Sequence, residues 1–304
     1  MRTITSQNKP ILLDGGFGRE LSFRGVEVPT TIWSAGALMT DPDVVRQIHC
    51  DYISAGADII TTNTYGLIRS ELAKEGIEGK FAALNRLACR LAIEAREKSG
   101  KKPLIAGALP PLRGSFRPDL VGPIDELEAF YQEHAALLAP HVDLLLCETM
   151  SSASEGRVAA KAACQAGKPV WVAWTLHEDR SGNLRSGESV TTAAAALAEL
   201  PVSGYLANCC APESITEFIP QIKKTGVEFF GGYANTFEPV PSNWTLDGEE
   251  ETDGLLALRA DLDAKSYCQH VANWLSAGAN VVGGCCGTRP EHTAMMYELI
   301  NTAL

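Results

Sequence analysis

The chain has 304 residues with 26 Lys and Arg against 37 Asp and Glu, a formal charge of −11, which excludes a polybasic nucleic-acid or anionic-membrane binder. With 45% hydrophobic and 21% charged residues the composition is that of a water-soluble globular protein, and no apolar run reaches the roughly 18 residues of a membrane span. The polar start MRTITSQNKP carries no secretion signal, and nine cysteines without dense even spacing point to a reducing, cytoplasmic setting.

Eight short apolar runs punctuate the chain: ILLDGG (11–16), ADIITTNTY (57–65), PLIAGAL (103–109), VDLLLCET (142–149), KPVWVAWTL (168–176), SGYLANCC (203–210), EFFGGYANT (228–236) and ANVVGGCCG (279–287). Their near-continuous apolarity predicts parallel strands buried on both faces. Between them, stretches such as 41–57, 81–99 and 124–140 have helical periodicity, and PEHTAMMYELINTAL closes the series as a last helix. An open doubly wound sheet is the alternative. A closed (β/α)8 TIM barrel, one α/β domain over 1–304, fits better, because eight units fill one sheet and no low-complexity linker interrupts them. Two longer connections, 113–123 and 237–254, follow the third and seventh strands at the end where such barrels build their sites.

Cys209 and Cys210 end the sixth strand and Cys285 and Cys286 the eighth, so the barrel brings both pairs to one rim. Neighbouring strand residues face opposite ways, and Gly283, Gly284 and Gly287 supply the bend that lets adjacent cysteines share one ion. Three thiolates select zinc or copper over magnesium and leave one tetrahedral position open. Such an electron-rich centre suits holding a substrate thiolate for alkylation better than generating hydroxide. A buried apolar strand end and a redox pair are the competing readings of these cysteines.

LLDGGFGREL, TTNTY, CET, NCC and GGCCGTRPEH together resemble the homocysteine S-methyltransferase family over nearly the whole chain. The resemblance implies a (β/α)8 barrel and Zn²⁺ held by Cys209, Cys285 and Cys286, with Cys209 chosen over Cys210 by the family's Asn-Cys pairing at Asn208. It also implies small-molecule substrates: L-homocysteine as acceptor, and S-methylmethionine, S-adenosylmethionine or betaine as donor, with methionine as product. Methyl transfer to another thiol or selenol such as selenohomocysteine, and homocysteine or zinc binding without turnover, are the alternatives. No nucleic-acid or membrane partner is expected, and composition leaves a homo-oligomer open.

At the mouth, the resemblance assigns Asp14 and Gly15 to homocysteine binding, although Asp in a DGG turn also suits a helix N-cap, and assigns Glu148 to the substrate amino group. Thr62, Asn63, Thr64 and Tyr65 form a polar cluster after the second strand that can contact the substrate or only cap the next helix, and Asn235 can orient a zinc ligand or the substrate. Trp174 and Tyr233 are candidates to face a cationic donor, with core packing as the alternative. His177, Glu178 and Glu188 read as solvated loop. Many family members carry Gly-Ser-x-Gly-Pro after the third strand where this chain has AGALPPLRGSFRPD; Arg113, Arg117 and Asp119 there can pair with a donor carboxylate or with one another.

Overall fold

The computed structural model describes residues 9–248 and 254–302. Its strands are β1 (Ile11–Leu12), β2 (Ile59–Thr61), β3 (Leu104–Leu109), β4 (Leu144–Met150), β5 (Val170–Trp174), β6 (Val202–Asn208), β7 (Phe229–Ala234) and β8 (Val281–Gly284). They form one parallel sheet in the order β1-β8-β7-β6-β5-β4-β3-β2. A parallel bridge between Leu13 and Ile59 joins β1 to β2, with Asp58 N–H donating to the Leu12 carbonyl and Asp14 N–H to that of Ile59. The sheet therefore closes into a (β/α)8 barrel, and the open-sheet alternative falls.

Each strand is followed by a crossover helix: α1 (Pro42–Ala55), α2 (Phe81–Ser99), α3 (Ile124–Leu138), α4 (Ala153–Cys164), α5 (Val190–Ala196), α6 (Pro212–Ile222), α7 (Ala264–Ala277) and α8 (Pro290–Thr302). Helix α2 shows why they dock. Its Leu84, Ala88, Leu91, Ala92 and Ala95 are buried at spacings of three and four, a stripe on one face, and each large aliphatic contributes roughly 1.5–3 kcal/mol. Gly100, at φ 66°, ends it in a left-handed turn. Among the described residues no helix is long and apolar enough to cross a membrane.

Alternation along the strands sorts the core into two shells. Leu144, Leu146, Trp171, Ala173, Leu206, Phe229 and Val281 fill the barrel, while Leu145, Cys147, Val172 and Trp174 face the helices. Trp171 fits inside only because its neighbour is glycine: a Cβ on Gly204 would stand 2.5 Å from the indole. Gly204→Val is expected to cost about 3 kcal/mol through overpacking, read as a lower urea midpoint with unchanged slope.

The segment after β7 crosses the barrel mouth. Trp244 packs on Phe116 with ring centroids 5.4 Å apart, Arg117 donates to the Asn243 carbonyl at 3.1 Å, and Arg185 donates to the carbonyls of Val240 and Pro241 at 2.6 and 2.9 Å. Lys74 adds an ion pair to Asp247 at 2.7 Å. Loops from three other βα units thus hold this segment over the site.

Candidate active site

The three sulfurs of Cys209, Cys285 and Cys286 lie within 4.8 Å of one another, with Cys209 and Cys286 at 3.8 Å. The backbone makes this possible at Cys209, whose φ of 48° breaks the strand's alternation. Cys209 N–H donates to the Tyr233 carbonyl at 3.1 Å, and its own carbonyl accepts from Thr175 Oγ1 at 3.2 Å, so the bend is pinned from both sides. Cys210 turns away into the core under the helices. On the other wall, a Cβ on Gly16 would meet the Cys285 carbonyl at 2.6 Å and Cys286 Cα at 3.0 Å, so the turn after β1 packs directly on the cysteine loop. Thr288 ties the two together, accepting from Gly16 N–H at 3.2 Å and donating to the Cys285 carbonyl at 2.7 Å. Hydrogen bonds from Cys209 and Cys285 hold the Cys286 thiol well below the ordinary thiol range.

Two buried carboxyls share this mouth. Glu148 lies two residues beyond Leu146 and so faces inward. Tyr233 O–H donates to it at 3.2 Å. The next residue, Thr149, has φ 63° and is clamped by Asn208, which accepts from its N–H at 2.8 Å and donates to its hydroxyl at 2.9 Å. Burial pushes the Glu148 carboxyl up to about 8, reinforced by the charges of Asp14 and Cys286 and opposed by Tyr233. Asp14 accepts from Thr61 N–H at 2.7 Å and Thr61 Oγ1 at 3.1 Å. Burial nonetheless pushes it up to about 7. It caps no helix: the short helix Gly18–Phe23 starts after Phe17 without a side-chain cap.

Asp14, Gly15, Asn63, Tyr65, Glu148, Tyr233, Cys209, Cys285 and Cys286 all line one cavity of about 370 Å³. Asn63 donates to the Ser34 carbonyl at 2.9 Å, which leaves its buried Oδ1 without a protein partner. The Tyr65 hydroxyl meets Ser115 Oγ at 2.6 Å. Gly15 is there for closeness, since a Cβ would stand 2.8 Å from Thr288 Oγ1 and 2.9 Å from the Tyr52 ring. Thr62 lines the cavity too, whereas Thr64 does not: its hydroxyl donates to the Ala108 carbonyl at 2.8 Å and shapes the turn. Asn235 also stands behind the wall, with Nδ2 3.9 Å from Cys209 Sγ and Oδ1 accepting from Phe237 N–H at 3.1 Å.

Trp174 belongs to the outer core and faces no ligand space, because β5 turns Trp171 and Ala173 inward. Among the described residues the aromatics that do line the outer cavity are Phe17, Trp33, Tyr65, Phe116, Tyr233, Phe237 and Trp244. His177, Glu178 and Glu188 are outside it. Arg113 and Arg117 line it but are paired with Glu126 and with Asp119. Sequence reasoning did not single out Thr61 or Thr288, nor give Asn208 more than a marker's role; each adjoins a motif residue, and that adjacency was the available signal.

The family profile described as Homocysteine S-methyltransferase matches residues 11–300. A homocysteine S-methyltransferase of Escherichia coli (strain K12) is 29% identical, with 97% of each chain covered, and Homocysteine S-methyltransferase YbgG of Bacillus subtilis (strain 168) is 27% identical over 93% of this chain and 91% of its own. The crystal structure of the Escherichia coli homocysteine methyltransferase MmuM in its metallated form superposes with a TM-score of 0.80 at 26% identity, covering 96% of this chain and 97% of that one. A match running from the first strand to the last helix, over a barrel that carries the motif cysteines to one rim, means that the chain belongs to the homocysteine S-methyltransferase family.

Proposed function

We propose that the protein transfers a methyl group from a sulfonium or quaternary ammonium donor to the sulfur of L-homocysteine, giving methionine, with zinc held by Cys209, Cys285 and Cys286. The observation that carries this reading is the meeting of three sulfurs and two buried carboxyls on one cavity. The sulfurs fit the ion: two thiolates on a tetrahedral zinc with bonds of about 2.3 Å stand about 3.8 Å apart, the separation of Cys209 and Cys286. Bound there, zinc supplies a Lewis acid that keeps the substrate sulfur ionised and nucleophilic near neutral pH.

The chain's own residues do the rest. Asp14 and Glu148 take the substrate ammonium, and Tyr233 and Thr61 orient those carboxyls. Asn63 lines the same cavity, held in place by its hydrogen bond to the Ser34 carbonyl. The aromatic outer wall, Trp33, Tyr65, Phe116 and Trp244, faces a cationic methyl group and excludes water, so that sulfur and methyl carbon meet in a poorly solvating space. A C–S bond forms to the incoming methyl, the donor's C–S or C–N bond breaks with its electron pair, and the thiol proton leaves to solvent. A reducing cytoplasm suits nine free cysteines.

The test supplies zinc-loaded protein and homocysteine with S-methylmethionine, S-adenosylmethionine or betaine in turn, and follows methionine. Turnover with at least one donor is expected. Tight homocysteine binding with no product from any of them would replace this reading with a binding role.

A further inference from the structure

Beyond the ligand set, we propose that Arg19 is a positioning residue whose permanent charge, seated behind the cavity wall, balances the negative charge the cysteine cluster keeps when a divalent ion joins it. This rests on the zinc reading above. Three thiolates and Zn²⁺ sum to −1, a fourth thiolate from substrate would make −2, and uncompensated charge in a buried place is costly. A compensating cation is therefore expected close by.

Arg19 lies on the short helix Gly18–Phe23, immediately after the glycine turn that packs on the backbone of Cys285 and Cys286. Its guanidinium donates to the Leu256 carbonyl and stands 5.7 Å from the Phe237 ring. Leu256, Phe237 and Cys286 all line the cavity, so Arg19 backs the wall they form. Its Nε is buried without a partner, and among the described residues it makes no ion pair with a carboxylate. The partly buried Arg24 and Arg259 and the buried Arg185 each meet one: Glu20, Glu213 and Glu178 respectively. Burial lowers the Arg19 pKa, and the nearby Cys286 sulfur opposes that lowering. A guanidinium kept in this place without a carboxylate fits a role toward the sulfurs.

Zinc affinity, measured by chelator competition at pH 7.5, separates charge from tethering. Arg19→Gln keeps a polar amide but loses the charge and the reach to the Leu256 carbonyl; Arg19→Lys keeps the charge and loses the fork. If charge is the role, Gln weakens zinc binding about tenfold and Lys stays within about threefold of the parent. Arg19→Met, uncharged and of similar length, repeats the test should Gln fail to fold, with thermal melts checking each variant. Parent-like affinity in the uncharged variants, or a loss in Lys equal to theirs, overturns the proposal while the zinc reading stands. A parent protein that takes up no zinc, or a Cys209→Ala variant that retains it, overturns that reading and this proposal with it.

Discussion

Cys209→Ala is expected to abolish tight zinc uptake and lower homocysteine methylation by about a thousandfold or more, whereas Cys210→Ala, one residue along, leaves both intact. The two changes delete the same thiol from adjacent buried positions, so general damage to the fold cannot separate them. The difference lies in direction. At φ 48° Cys209 aims its sulfur at Cys285 and Cys286, while Cys210 packs among the helices. Losing one of three thiolates leaves a divalent ion with two protein ligands, too few for a stable site, and a rate loss of that size corresponds to about 4 kcal/mol of barrier. Cys210→Ala should cost only about 1 kcal/mol of stability from the small void. Metal analysis of the purified variants, paired with methionine formation, checks both. Equal losses in the two would remove Cys209 from its assigned role.

The contrast between these neighbours also marks where the sequence stops being legible. Strands buried on both faces write themselves as apolar runs, and all eight overlap the observed strands. That same apolarity hides which residues face inward. VWVAW is apolar at both parities, so nothing in it says that Trp171 fills the barrel and Trp174 the outer shell. In ADIITTNTY the ladder stops at Thr61, because the hydroxyls of Thr62 and Thr64 bond β3 in place of a continued strand. The cysteine pairs were visible as motifs, but the choice between Cys209 and Cys210 depends on one backbone angle. The hold of Arg117 and Arg185 on the segment after β7 joins residues 126 and 55 positions apart, and local periodicity carries no trace of such pairs.

Glu148→Gln is expected to raise the KM for homocysteine about a hundredfold and to change its pH dependence. A substrate ammonium needs an ionised carboxyl, yet burial holds Glu148 near 8 and Asp14 near 7, so below neutrality both carry protons that binding must expel. In the parent, KM should therefore fall as pH rises from 6 to 8, by up to about tenfold per unit for each proton released. In the variant only Asp14 remains to ionise, and the fall should be shallower and finish near 7. Stability moves the other way. The unfolded chain gives up the Glu148 proton near pH 4.5, whereas the ligand-free folded protein keeps it to about 8, so that carboxyl's contribution is present at acid pH and lost as pH rises across this window. The loss is on the order of 5 kcal/mol, and Gln cannot suffer it. Ligand-free Glu148→Gln should thus melt above the parent at pH 8.5 and beside it at pH 5, while homocysteine at pH 8.5 raises the parent's melting temperature far more than the variant's. A variant with the parent's KM profile would mean that the substrate ammonium binds elsewhere, and a flat melting difference across the range would mean that Glu148 is already ionised in the empty site.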